Sequence, residues 1–181
     1  MKATEIVRRI DGLGRVVIPK EIRRTLRIKE GDPLEIFTNN SGEVIFKKYS
    51  PIGELGEFAG QYAETLARTS GMGACITDKD SVIAVSGVSK KELNEKKVSG
   101  DLEKIMDDKI TFVRQANSGK RLPVIDGSDK HMVGVASPII AEGDSIGSVI
   151  MVCDDDSAGI GEVETKLVQA AAGFLGRYME Q

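Results

Sequence analysis

The chain changes character at Ser50-Pro51, and this divides it into two parts that must be stabilised differently. Residues 1–50 are short β-rich runs broken by Gly and Asn, with one Arg-rich helical turn and no long amphipathic segment to cover them. A module of about fifty residues without disulfide or metal buries too little surface to be comfortable alone. Association through its strands is the expected remedy. Residues 51–181 begin and end on long helical patterns with strand patterns between them.

Charge divides at the same place. Residues 1–50 hold 11 Lys+Arg against 7 Asp+Glu, and residues 51–181 hold 14 against 21, so +4 is joined to −7 within a total of −3. Six arginines fall in the first 27 residues. Such polarity points to a polyanion-binding head on an acidic body.

In the head, residues 4–10 and 15–18 read as strands joined by Asp11-Gly12-Leu13-Gly14, whose glycines permit a tight connection and set Arg15 on the rim of the loop. Pro19 opens the helical run KEIRRTLR, in which Ile22 and Leu26 share a face and Arg23, Arg24 and Arg27 point elsewhere. Gly31-Asp32-Pro33 closes it. Leu34–Phe37 and Glu43–Phe46, across Asn39-Asn40-Ser41-Gly42, read as a second hairpin. The head is therefore expected to be β-β-α-β-β.

In the body, Ser50 is a good N-cap and Pro51 suits the first helical position, so a helix is expected over about 51–69 with Ile52, Leu55, Ala59, Tyr62 and Leu66 on one face. MGACITD and SVIAVSG read as strands, and Ser89-Lys90-Lys91-Glu92 as a capping box for a helix reaching about Lys97. A short helix follows at 101–108. HMVGVASPII and SIGSVIMVCD read as the central antiparallel strands. The last helix, about 161–180, carries Val163, Leu167, Ala171, Phe174 and Tyr178 on a stripe wider than one sheet face needs. Either the helices at 51–69 and 161–180 form a bundle with those of a second copy, or both pack on their own sheet. The fold class is α+β.

Several chemistries have little support. The composition, 40% hydrophobic and 29% charged, is that of a soluble globular protein, and no apolar run approaches the ~20 residues of a membrane span. The expected location is the cytoplasm. Cys75 and Cys153 lie in apolar runs without a Cys-x-x-Cys pair and read as buried free thiols, and His131 is the single histidine. No metal site follows, since Asp154-Asp155-Asp156 lacks the alternation of a calcium loop and reads as a solvated turn. No catalytic residue is implied, because His131 has no nucleophile partner by motif.

The run Gly12-x-Gly14-Arg15-Val16-Val17-Ile18-Pro19, followed by Glu21-Ile22-Arg23-Arg24 and Leu26, resembles the swapped-hairpin DNA-binding domain of the AbrB-type transition-state regulators over essentially all of residues 1–50. Residues 51–181, with CITDKDSVIAVSGVSKKELNEK and EVETKLVQAAAGFLGRYMEQ, are similar to the GAF-type domain of sporulation regulators that carry such a head. The resemblance implies that two chains interlace their hairpins into a barrel-like dimer bound to double-stranded DNA. It implicates Arg8, Arg15, Arg23 and Arg24, with Arg9 and Lys2 as lesser contributors. Arginine suits the task, because its fixed fork of donors pairs bidentately with phosphate or guanine edges. One departure is Glu5, where the family usually has glycine.

The GAF-type half implies ligand sensing or oligomerisation, with a tetramer if its helices pair two dimers. Ser86, Ser89 and Ser137, with the 126–132 stretch, are the pocket candidates, and no known cofactor is implied. The resemblance further implies a transcription regulator acting late in sporulation, on the nucleoid of the forespore. Two other readings are an antitoxin-type autoregulator, which would end in a disordered toxin-binding tail, and a metabolite-binding protein whose basic head serves assembly alone.

Overall fold

The computed structural model describes residues 6–116, 121–128, 130–154 and 160–180. The chain forms two compact units, Met1–Tyr49 and Ser50–Gln181.

In the first unit, helix α1 (Lys20–Thr25) follows Pro19, whose extended backbone (φ −56°, ψ 147°) stops the helix from starting earlier. Strands β1 (Leu34–Thr38) and β2 (Val44–Lys48) form an antiparallel hairpin with Ile36 opposite Phe46. Its turn is built by Asn39, whose side-chain oxygen accepts from the backbone N–H of Ser41 and of Glu43 at 3.1 and 3.0 Å. Lys48 ties the hairpin to the α1–β1 connection by donating to the Arg27 carbonyl at 3.1 Å and pairing with Asp32 at 3.6 Å.

The expected strands at 4–10 and 15–18 are not strands in the described part of this unit, residues 6–10 and 15–18. A strand needs a hydrogen-bonded neighbour, and here one ladder-like bond, Asp11 N–H to the Arg15 carbonyl at 3.1 Å, closes the loop between them. The observed order is loop, α1, β1, β2, with no closed barrel. Pro19 is the one buried residue described in this unit, while Val7 is 90% and Val17 71% exposed.

The second unit is a five-stranded antiparallel sheet in the order β4-β3-β7-β6-β5. Its elements run α2 (Pro51–Glu54), α3 (Gly56–Ser70), β3 (Gly73–Asp78), β4 (Val82–Ser86), α4 (Lys90–Leu93), α5 (Gly100–Asp107), β5 (Phe112–Val113), β6 (Val133–Ala141), β7 (Asp144–Val152) and α6 (Glu162–Tyr178). The helix expected over 51–69 is thus two helices broken at Leu55. Ser50 caps α2 by accepting from the Gly53 N–H at 3.0 Å and donates to Asp78 at 2.9 Å, fixing the start of the unit to the end of β3. No helix among the described residues is long and apolar enough to cross a membrane.

Alternation along the strands builds two cores, one on each face of the sheet. On one face Ile76, Val135, Ile139, Val149 and Met151 meet Ala59, Ala63 and Leu66 of α3 and Val168, Ala171 and Leu175 of α6. On the other, Cys75, Val85, Ala136 and Ile150 meet Leu93 of α4 and Leu102, Ile105 and Met106 of α5. Small residues allow the close contacts. At Gly147 a Cβ would meet the Thr77 carbonyl, and at Gly176 the Ile140 carbonyl.

The stripe of α6 splits between two environments. Val168, Ala171, Ala172 and Leu175 are buried on the sheet, while Phe174 and Tyr178 are 47% and 43% exposed and stack with Phe58 and Tyr62 of α3. Phe58 and Tyr178 lie 5.1 Å apart at 14°, and Tyr62 and Phe174 5.8 Å apart at 22°.

The expected capping box at Ser89 does not form, and α4 stops at Leu93 instead of reaching about Lys97. Glu92 points away from the helix start. One of its oxygens meets His131 Nε2 at 2.9 Å and the other accepts from Lys130 at 2.9 Å. Asp154, expected in a solvated turn, meets His131 Nδ1 at 3.1 Å and accepts from the Met132 N–H at 3.2 Å. Asp155 and Asp156 lie outside the described residues. His131 is held at φ +58°, and the two carboxylates on its ring offset that cost by joining α4 to the sheet end.

These contacts generate two predictions. Gly147→Ala or Gly176→Ala forces a side chain into a backbone carbonyl and is expected to lower unfolding free energy by about 1–3 kcal/mol, read by urea denaturation. The His131 hydrogen bond, and then Lys130, hold the Glu92 carboxyl below the ordinary glutamate range. This contribution is present above the unfolded-state value and is lost as pH falls through the depressed folded value. Glu92→Gln should therefore lower the thermal midpoint near neutrality and shrink the wild-type loss between neutral and acid pH; an unchanged acid limb would contradict this.

Candidate nucleic-acid interface

Arg15 sits on a loop built by one acidic residue. Asp11 accepts the backbone N–H groups of Leu13 and Arg15 on one oxygen, both at 2.9 Å, and the Arg15 Nε at 2.8 Å on the other. Gly14 adopts φ +77°, a conformation that L side chains rarely take, and its N–H returns to the Asp11 carbonyl at 3.0 Å. The Arg15 N–H and guanidinium donors hold the Asp11 carboxyl below the ordinary aspartate range, so it stays ionised and keeps its grip. Arg15 remains 70% exposed, with its terminal nitrogens unpaired among the described residues. The result is a guanidinium fork aimed by its own loop and open to an anion.

Arg23 and Arg24 occupy the last turn of the six-residue α1. Arg24 is exposed; Arg23 is half-buried, with its Nε buried and without a hydrogen-bond partner among the described residues. Arg8 and Arg9 lie exposed in the irregular run before the loop. Lys2 and Glu5 lie outside the described residues. Among the described residues, no hydrogen bond or ion pair joins the Arg15 loop to Arg23 or Arg24 of α1. Asp11 was not singled out by the sequence reading, although an Asp opening a Gly-x-Gly turn four residues before an Arg is a signal for such an Asx-type loop.

The serines of the second unit are dispersed. Ser86 ends β4 half-buried, Ser89 is the exposed residue before α4 without a side-chain cap bond, and Ser137 is buried in β6 with Thr111 Oγ1 at 3.1 Å. Within the 126–132 stretch, Asp126 accepts from the Gly100 N–H at 3.1 Å, and Lys130, His131 and Met132 line a hollow of about 220 Å3 together with Arg121 and Asp154. Both cysteines are buried free thiols, and burial, aided by the Asp154 charge, pushes Cys75 up to about 12. Among the described residues no group of three or more His, Cys, Asp or Glu side chains is placed to hold a metal ion.

Comparison with known proteins bears on both units. A family model described as "Stage V sporulation protein T C-terminal, transcription factor" matches residues 54–180. One described as "Antidote-toxin recognition MazE, bacterial antitoxin" matches residues 7–53. The chain is 54% identical to Stage V sporulation protein T of Bacillus subtilis (strain 168), over 100% of both chains. It is 59% identical to the transition state regulatory protein AbrB of the same organism over 51 residues, 28% of this chain and 52% of that protein. In fold, it is similar to the GAF domain of an Acinetobacter phosphoenolpyruvate-protein phosphotransferase, with a TM-score of 0.57, 10% identity, and coverage of 69% of this chain and 81% of that one. An AbrB-type segment at residues 1–50 followed by a GAF-like α+β unit, with whole-length identity of this size, means that the chain belongs to the stage V sporulation protein T family.

Proposed function

We propose that this protein is a homo-oligomeric, DNA-binding transcription regulator of sporulation, with the Arg15 loop and the arginines of α1 forming the DNA-contacting surface. The observation that carries the reading is the Asp11-held, outward Arg15 fork at the head of a basic unit whose sequence is shared with AbrB. Arg8, Arg23 and Arg24 add charge to the same unit, Arg9 and Lys2 extend it, and two copies double the set. Regulation, not catalysis, is the role this assigns, on DNA in the cytoplasm and in the forespore.

The antitoxin reading draws on the head alone, since residues 7–53 match the MazE model. It fits the remainder poorly, because Ser50–Gln181 is a unit with a core on each face of its sheet. Two levels of assembly follow. The apolar residues of the head dimerise it, and the Phe58, Tyr62, Phe174 and Tyr178 surface joins the second units of two dimers into a tetramer. Two DNA-binding ends then raise avidity on DNA with spaced sites.

Fluorescence anisotropy on mixed-sequence and operator-candidate duplexes tests the site. With about 6–8 phosphates neutralised per dimer, log affinity should fall against log salt with a slope of about −5 to −7. Arg15→Ala or Arg23→Ala is expected to cost about 1–3 kcal/mol wherever the arginine reads a base. Asp11→Ala should weaken binding through the loop while leaving every arginine in place. Affinity unchanged by all three variants would leave the head as an assembly device only.

A further inference from the structure

The second unit has an acidic net charge, yet one groove on it is lined by lysines and no carboxylate. The groove lies along the edge strand β4, between α3 and α4 with its following loop, and has a volume of about 490 Å3, within the ~300–1,000 Å3 of small-molecule sites. Lys90, Lys91 and Lys96 line it together with Asn94. On the α3 side stand Gly56 and Gly60, where a Cβ would meet nothing within 4 Å, so the wall is open backbone.

The charge is also unspent. Lys104, Lys109, Lys130 and Lys166 of this unit each sit within 3.6 Å of a carboxylate. The side chains of Lys90, Lys91 and Lys96 have no ion pair or hydrogen bond among the described residues. Glu92, the acidic residue of the helix that carries Lys90 and Lys91, is turned away onto His131 and Lys130. The contact that displaced the expected capping box thus leaves the lysine side of α4 without its neutralising partner.

We propose that this groove binds a small anion carrying two or more phosphate groups. Three lysines lining one open groove suit several phosphates held close together, and Asn94 offers an amide for a non-ionic part of the ligand. Duplex DNA is the poorer occupant, because it meets the whole −7 unit, whereas a small ligand bound in the groove feels chiefly charges within a Debye length of about 8 Å. The site is separate from the DNA-contacting arginines and does not depend on their role.

Isothermal titration of the full-length chain with inorganic tripolyphosphate, at fixed ionic strength, tests it against two variants. Lys90→Ala/Lys91→Ala/Lys96→Ala is expected to lower affinity at least about tenfold, since each charge-assisted contact is worth roughly that factor. The arginine version of the same three positions should retain binding. Arg15→Ala/Arg23→Ala/Arg24→Ala, which removes the head's cations, should leave it intact while duplex binding falls. Three results would each overturn the proposal: affinity unchanged in the lysine-to-alanine variant, binding lost only in the arginine-to-alanine variant, or equal binding of sulfate, which would mark simple charge screening.

Discussion

The apolar surface of the first unit is the constraint on which the rest depends. Thirteen of the seventeen exposed large apolar side chains described lie in residues 6–49, on a unit with a single buried residue. Each such side chain gains ~1.5–3 kcal/mol when it leaves water fully, so a chain that left thirteen solvated would hold this shape weakly. Those of them in residues 6–10 and 15–18 also carry backbone groups without a strand neighbour, so one event, pairing with a second copy, would meet both needs. It would also duplicate the arginines. In this account assembly in the head brings together two copies of an Arg15 fork that each chain's own loop already holds.

The second unit solves the same problem within one chain. Its sheet is sandwiched, with helices α3 and α6 on one face and α4 and α5 on the other, and glycines admit the closest approaches of helix and strand. Two of its four exposed large apolar side chains described, Phe174 and Tyr178, are stacked onto Phe58 and Tyr62. A unit with its own cores leaves surface free for other uses, and the aromatic face and the lysine-lined groove are the two features proposed for them.

Much of this was legible in the sequence, for identifiable reasons. The apolar runs of GACITD, β6 and β7 fixed the sheet, and the Pro51 signal and the spacing in EVETKLVQAAAGFLGRY fixed the outer helices. Residues 6–10 and 15–18 read as strands because propensity reports what a segment can pair, not whether a neighbour is present. The Ser89 capping box failed because Glu92 had a stronger partner 39 residues away in His131, and local pattern has no access to such a contact. The same holds for the candidate sites. Arg15 could be read from its loop, whereas the pairing states of Lys90, Lys91 and Lys96 depend on where distant carboxylates end up.

The central claim is that residues 6–10 and 15–18 become strands by pairing with a second copy. Amide hydrogen exchange of the full-length chain, measured across a dilution series, addresses it most directly. The account predicts protection of residues 6–10 and 15–18 comparable to that of β1 and β2, lost together with the dimer on dilution. Exchange of these amides at unprotected rates, in a chain that is folded and concentrated, would contradict it.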